Sequence, residues 1–323
     1  MTAVTLSRPS LPDHIAEATR PEAELGIDPG GQQDAAAGTP PLSLRLQLIR
    51  SVLVLIFVTS IVLLIQLSLI SSMEASSAQG RAFDTCRGKL ATGTAPIGPT
   101  DNDGHELPIG TSVAYLEIPS IGLKQVVGQG TTASAMFNGP GHRRDTPLPG
   151  QIGTSVVLGR RAAFGGPFSD IDELKKDAVI KVTTGQGVFN FRVVAKQGQG
   201  DSAPAPVAAG GARLLLVTAA GWPFMPDGVY RVFADLDGKA VVGPKPLVAT
   251  SSLPSAENYM GTDARTLWAL ALWMQALIAL SLGVVWAWHR WGRAQAWVVF
   301  FPPLILVGSL ATGEVARLLP NLL

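Results

Sequence analysis

Two uninterrupted apolar runs, Val52–Ile70 and Leu267–Trp288, constrain this chain more than any other feature. Neither carries a charged residue. A helix of about 20 such residues crosses a hydrocarbon core of about 30 Å. A buried core helix of that length normally keeps a polar face, yet Gln66 and Gln275 are the only strongly polar side chains in the two runs. Trp268, Trp273, Trp286 and Trp288 lie towards the ends of the second run, where amphipathic rings favour a membrane interface. A third, shorter run, Ala296–Thr312, contains Pro302-Pro303, whose missing amide donors predict a kink. Charged residues make up only 15% of the chain, against about 25% in soluble domains. The sequence therefore predicts about three transmembrane helices.

Basic residues set the expected orientation. Arg45 and Arg50 precede the first run and Glu74 follows it, while His289, Arg290 and Arg293 lie between the second and third. The positive-inside rule then places the N-terminus in the cytoplasm and residues 74–262 outside a plasma membrane crossed several times. The expected organisation is a disordered cytoplasmic tail over 1–44 and a transmembrane signal anchor over 45–73. An extracytoplasmic stalk over 74–111, a β-barrel over 112–236, a linker over 237–262 and two transmembrane helices within 263–323 follow. The tail reading rests on Asp28–Gly31, Ala35–Ala37 and Pro40-Pro41, which show no sustained period.

Between the membrane runs the apolar pattern shortens to strand length. Val113–Ile118, Lys124–Val127, Ser155–Gly159, Ala178–Thr183, Val188–Ala195, Arg213–Thr218 and Val229–Leu236 are the expected strands. Gly185-Gln186-Gly187 separates two of them as a hairpin turn. Phe189, Phe191 and Val193 alternate with Asn190, Arg192 and Val194, the period of a strand with one covered face. The 25 basic and 24 acidic residues offer no basic footprint for a nucleic acid. A single cysteine, Cys86, excludes an internal disulfide framework, and the four scattered histidines lack metal-ligand spacing. No metal and no cofactor are expected.

Several motifs in order resemble one family. Ile118-Pro119-Ser120-Ile121-Gly122-Leu123 with Val126-Val127, Gly139-Pro140-Gly141-His142, and Thr146-Pro147-Leu148-Pro149-Gly150 resemble the opening strands and loop of sortases. Ser155–Arg161 with Phe164–Ile171 resembles the strand and loop that carry the family's catalytic His. Leu214–Ala219 resembles the strand ending in its nucleophilic Cys. The resemblance spans about 112–236. It implies a mainly β, eight-stranded barrel displayed outside the membrane of a bacterial cell. Active members of the family cleave a sorting signal and join the product to an amine.

The resemblance also implies where chemistry should lie, and there the residues differ. A thiolate attacks, a His moves protons and an Arg stabilises the oxyanion in such enzymes. Here the Gly-His-Arg motif reads Gly159-Arg160-Arg161, and the Thr-Cys motif reads Thr218-Ala219. Arg231 stands at the family's Arg position, though another register puts Val229 there. A guanidinium stays protonated near neutral pH and a methyl group is not a nucleophile. No catalytic residue is therefore expected, only the equivalent positions Arg160, Ala219 and Arg231.

The expected function is a catalytically inactive, membrane-anchored binding or scaffold module at the cell envelope. A groove lined by Arg160, Arg161, Trp222 and Arg231 would meet a peptide, a cell-wall component or a membrane protein. The bidentate arginines would suit a carboxylate or phosphate. Pairing of the two arginines with Asp145, Asp170 or Asp172 is the plainer alternative. The opposing functional reading is an active cysteine transpeptidase or hydrolase with a rearranged site, which would have to use Cys86 from the stalk.

Overall fold

Strand β7, Ala212–Trp222, is buried on both faces from Ala212 to Ala219, and the molecule is organised around it. Such a run reads as nearly continuous hydrophobic sequence because neither face meets water. β7 pairs in parallel with β4 (Gly153–Leu158) and antiparallel with β8 (Met225–Leu236). The remaining strands are β1 (Ser112–Ile118), β2 (Leu123–Gln129), β3 (Gly141–His142), β5 (Val179–Thr184) and β6 (Gly187–Gln197). They close an eight-stranded barrel in the order β1-β2-β3-β4-β7-β8-β6-β5. This computed structural model describes residues 71–323 apart from Asn102, Gln199 and 263–265, together with isolated positions between 46 and 65.

The interior is filled by one face of every long strand. Leu116 and Ile118 of β1, Val157 of β4, Ile180 of β5, Phe191 of β6, Leu214 and Leu216 of β7 and Val232 of β8 meet there with Phe168. The alternating Phe189, Phe191 and Val193 of β6 supply three buried side chains, as their spacing predicts. All seven expected strands are present. β3 is the eighth; it has two residues, and its Gly-Pro-Gly-His sequence reads as a turn. The β5–β6 hairpin turns at Gly185-Gln186, where Thr184 pairs with Gly187.

Two stretches depart from their expected roles. Residues 74–111, read as a stalk, begin within helix α1 (Ser71–Ala91), which lies against the barrel. The Gln79 side chain acts as an edge partner for β2: its Oε1 accepts the Val126 N–H at 2.7 Å and its Nε2 donates to the Val126 carbonyl at 3.1 Å. Phe83 packs on Tyr115 at 5.1 Å between centroids, and Cys86 is buried rather than exposed to another chain. Residues 237–262, read as a linker, are also docked on the barrel: Val241 bridges Gln151, and Glu257 is buried.

Helices α2 (Leu267–Arg290) and α3 (Arg293–Leu318) follow, packed together where Gly283 faces Phe300. Their segments Leu267–Ala287 and Ala294–Leu318 are long and apolar enough to cross a membrane. The described residues thus give two such helices, not three; the expected first span, Val52–Ile70, and the expected tail over 1–44 lie largely outside them. Pro302 and Pro303 lie inside α3, which continues to Leu318, beyond the expected end at Thr312.

Candidate functional site

The outward face of β4, β7 and β8 carries a second buried cluster, which stands where the resemblance implies a groove. Val156 and Leu158 of β4, Leu215, Val217 and Ala219 of β7, and Phe233 of β8 lie on it. Arg160 follows Leu158 by two residues. On β8, Val229 stands opposite Ala219 and Arg231 opposite Val217, so both registers considered for the Arg position fall on the groove face. The three family-equivalent positions, Arg160, Ala219 and Arg231, are therefore carried by adjacent strands or the loop that leaves one.

Local backbone builds the end of this groove. Gly159 is required by the close approach of Phe168: a Cβ there would meet its ring at 2.3 Å. Gly159 also accepts the Thr218 hydroxyl at 2.9 Å, tying β4 to β7 beside Ala219. Farther along, Phe164 holds a positive φ of 55°, followed by Gly165 and Gly166 at 78° and 48°. A left-handed non-glycine residue costs about 1–3 kcal/mol and persists only where surrounding contacts hold it. Here the contacts are Phe137, stacked on Phe164 at 4.2 Å, and the hydroxyl of Ser71, which accepts the Phe164 N–H at 3.3 Å.

Arg160 is fully buried beneath these rings. Its guanidinium lies 5.0 Å from the Phe164 centroid and 5.3 Å from Phe137. Nη2 donates to the Ala133 carbonyl at 3.1 Å and Nη1 to the Leu323 carbonyl at 3.2 Å. Burial lowers its pKa to about 10, so it remains a cation at neutral pH. Both acceptors are main-chain oxygens, and no Asp or Glu side chain pairs with Arg160 among the described residues. Arg161 takes the plainer course, pairing with Asp172 at 2.9 Å while its Nη1 approaches the Ala219 carbonyl at 3.5 Å.

The other sequence-derived positions spread outward. Arg231 lies over the Tyr259 ring at 5.6 Å, and Arg143 approaches the same ring at 5.1 Å. Trp222 stands at the tip of the β7–β8 hairpin, 81% exposed. His142 belongs to the inside of the fold: Nε2 donates to the Pro147 carbonyl at 3.0 Å, and Nδ1 meets the Gln129 amide at 2.9 Å. Its ring is buried, and desolvation lowers its pKa to about 4. Among the described residues, the one cluster with metal-ligand reach, Asp101, Asp103 and His105, is exposed and remote in sequence from the groove motifs.

Sequence reasoning missed two segments that reach the groove. Residues 257–261 bring Tyr259 onto it, and residues 320–323 bring Leu322 into the cluster with Met136, Val217 and Ala219. Both contacts join positions far apart in the chain, so no local period announces them. The one available signal is Leu319-Pro320, because a residue before proline is driven out of helical geometry.

A family model described as Sortase domain matches residues 116–232. A comparison with curated proteins finds no match. Among solved structures, a Clostridium perfringens sortase transpeptidase is 22% identical, covering 50% of this chain and 99% of its own at a TM-score of 0.42. Sortase E from Streptomyces avermitilis is 25% identical, covering 47% and 100% at 0.35. A sortase C from Clostridium perfringens, solved with the C-terminal cell wall sorting motif, is 20% identical, covering 51% and 90% at 0.38. With the eight-stranded closed barrel, the ordered motifs and the match over 116–232 taken together, the chain carries a domain of the sortase family.

Proposed function

We propose that this protein is a membrane-held sortase-fold module without transpeptidase activity, serving binding or scaffolding at the cell envelope. The observation that carries the reading is the methyl group of Ala219 on the groove face of β7, where the resemblance implies a nucleophile. Arg160 supports it: a buried guanidinium with a pKa near 10 cannot alternate between acid and base at neutral pH. Cys86 offers no rescue. It lies on α1, which packs against β1 and β2, and burial pushes its thiol pKa up, the opposite of an activated nucleophile.

The partner class is a peptide, a cell-wall component or a membrane protein on the extracytoplasmic side. Arg161, Arg231 and Trp222 supply the accessible rim of the proposed surface, with Arg160 beneath residues 320–323. The test is turnover. The full-length protein in detergent micelles is expected to neither cleave nor transfer sorting-signal peptides, and Ala219→Cys alone is expected not to restore activity. General acid–base help is worth about 10²–10⁴ in rate, and Arg160 withholds it. Turnover by the wild type that disappears on changing a groove residue would establish the alternative, an active enzyme with a rearranged site.

A further inference from the structure

The groove is already filled by the chain itself. α3 ends at Leu318; Leu319 adopts an extended conformation and Pro320 leads the chain back over the barrel. Asn321 is fully buried and clamped: its N–H donates to Gly261, and its side-chain amide donates to the carbonyls of Ala256 at 2.6 Å and Asn258 at 2.9 Å. Leu322 is also fully buried, seated among Met136, Leu158, Val217, Ala219 and Phe233. Its carbonyl accepts the Arg161 N–H at 2.9 Å, and the next carbonyl, of Leu323, accepts Arg160. Main-chain oxygens and one leucine side chain thus engage the positions that the resemblance makes catalytic, or their immediate neighbour Arg161.

We propose that residues 320–323 are the resident ligand of this groove, an intramolecular latch that keeps it closed to other leucine-bearing peptides until the segment leaves. The chemistry favours this occupant. Arg160 donates to the main-chain oxygen of Leu323, Leu322 fills the apolar floor left by the small Ala219, and Asn321 is held by a segment that itself docks on the barrel. A tethered ligand acts at an effective concentration of the order of millimolar. A free peptide of the same sequence must therefore exceed that to compete. This inference extends the binding-module reading but does not depend on catalytic silence: turnover by the protein would overturn that reading and leave the latch standing.

Hydrogen exchange on the full-length protein in micelles tests it. The amide of Arg161 is expected to be protected in the wild type, and Asn321→Ala and Leu322→Asp are each expected to raise its exchange at least tenfold. Strand β7 from Leu214 to Leu216 should keep its protection, which separates an open latch from an unfolded barrel. If Leu322→Asp loosens β7 as well, Asn321→Ala decides, since it alters no barrel residue. Unchanged exchange at Arg161 in Asn321→Ala overturns the latch. A fluorescent synthetic peptide with the sequence of residues 317–323 is then added at up to 0.1 of millimolar concentration, on the order of a tenth of the tethered value. Saturable binding to Leu322→Asp but not to the wild type supports the proposal. Equal binding to both, or binding to neither, overturns it.

Discussion

The buried carboxylate of Glu257 is held by Arg144, whose Nε donates to Oε2 at 3.0 Å and whose Nη2 reaches Oε1. Arg144 belongs to the loop between β3 and β4, and Glu257 to the segment that precedes the membrane helices. The pair therefore fastens that segment to the barrel, assisted by the Thr131 hydroxyl, which donates to the Glu257 carbonyl at 2.8 Å. Removing one partner of a buried ion pair leaves an uncompensated charge and costs about 3–5 kcal/mol. Glu257→Ala is expected to lower stability in urea unfolding by less than that, because Glu106 also pairs with Arg144 and keeps its charge compensated. An exposed pair such as Arg192–Asp237, 2.8 Å apart, should change stability by less than about 1 kcal/mol when broken.

His142 makes folding pH-dependent. Its pKa is about 4 in the fold against 6.5 when free, so between these values the unfolded chain binds more protons. Stability from this residue is complete above about pH 6.5 and falls as pH drops towards 4, by up to about 1.4 kcal/mol per pH unit. Asp145 opposes the shift by favouring the charged ring. Melting temperatures from pH 7.5 down to 4.5 should decline more steeply in the wild type than in His142→Gln. Parallel curves would show that the ring does not titrate as its burial requires.

Gly159→Ala should damage the groove from its floor. The added Cβ would meet the Phe168 ring at 2.3 Å, and Phe168 is fully buried in the barrel interior. Overpacking of this kind costs about 1–3 kcal/mol. Ala substitution at Gly187, where a Cβ would meet nothing within 4 Å but φ is +134°, tests backbone strain alone. Paired denaturant curves separate crowding from strain.

The proposed topology predicts opposite labelling of two exposed sites. In a Cys86→Ser background, Ser134→Cys on the barrel should react with a membrane-impermeant thiol reagent in intact cells. Gln295→Cys, at the start of α3, should react only after permeabilisation. Both positions are exposed, so burial does not confound the comparison. The reverse pattern would invert the orientation drawn from the flanking arginines.

Seven strands were legible because strand period and motif order are local properties. β6 announces its buried face through Phe189, Phe191 and Val193, and β7 announces double burial through Leu214–Val217. β3 was not legible, since two residues cannot display a period. The surroundings of Arg160 were not legible either. An arginine beside Arg161 suggests an accessible anion site, whereas its burial depends on Phe137, Phe164, Ala133 and Leu323, drawn from three other parts of the chain. The barrel contacts of residues 74–111 and 237–262 were not legible for the same reason: Gln79 and Glu257 are polar residues whose partners are set only by tertiary contact.

The double burial of β7 has a consequence for biosynthesis. Its inner face is covered by strands already made or next in the chain, whereas part of the cover on its outer face, at Val217 and Ala219, comes from Leu322. That residue is made about 100 residues later, after both membrane helices, or about 5–20 s at ordinary elongation rates. During that interval the outer face lacks the cover of Leu322, while Met136, Leu158 and Phe233 already pack beside Val217 and Ala219. Completion of that cover therefore waits until α3 and the residues that follow it have been made.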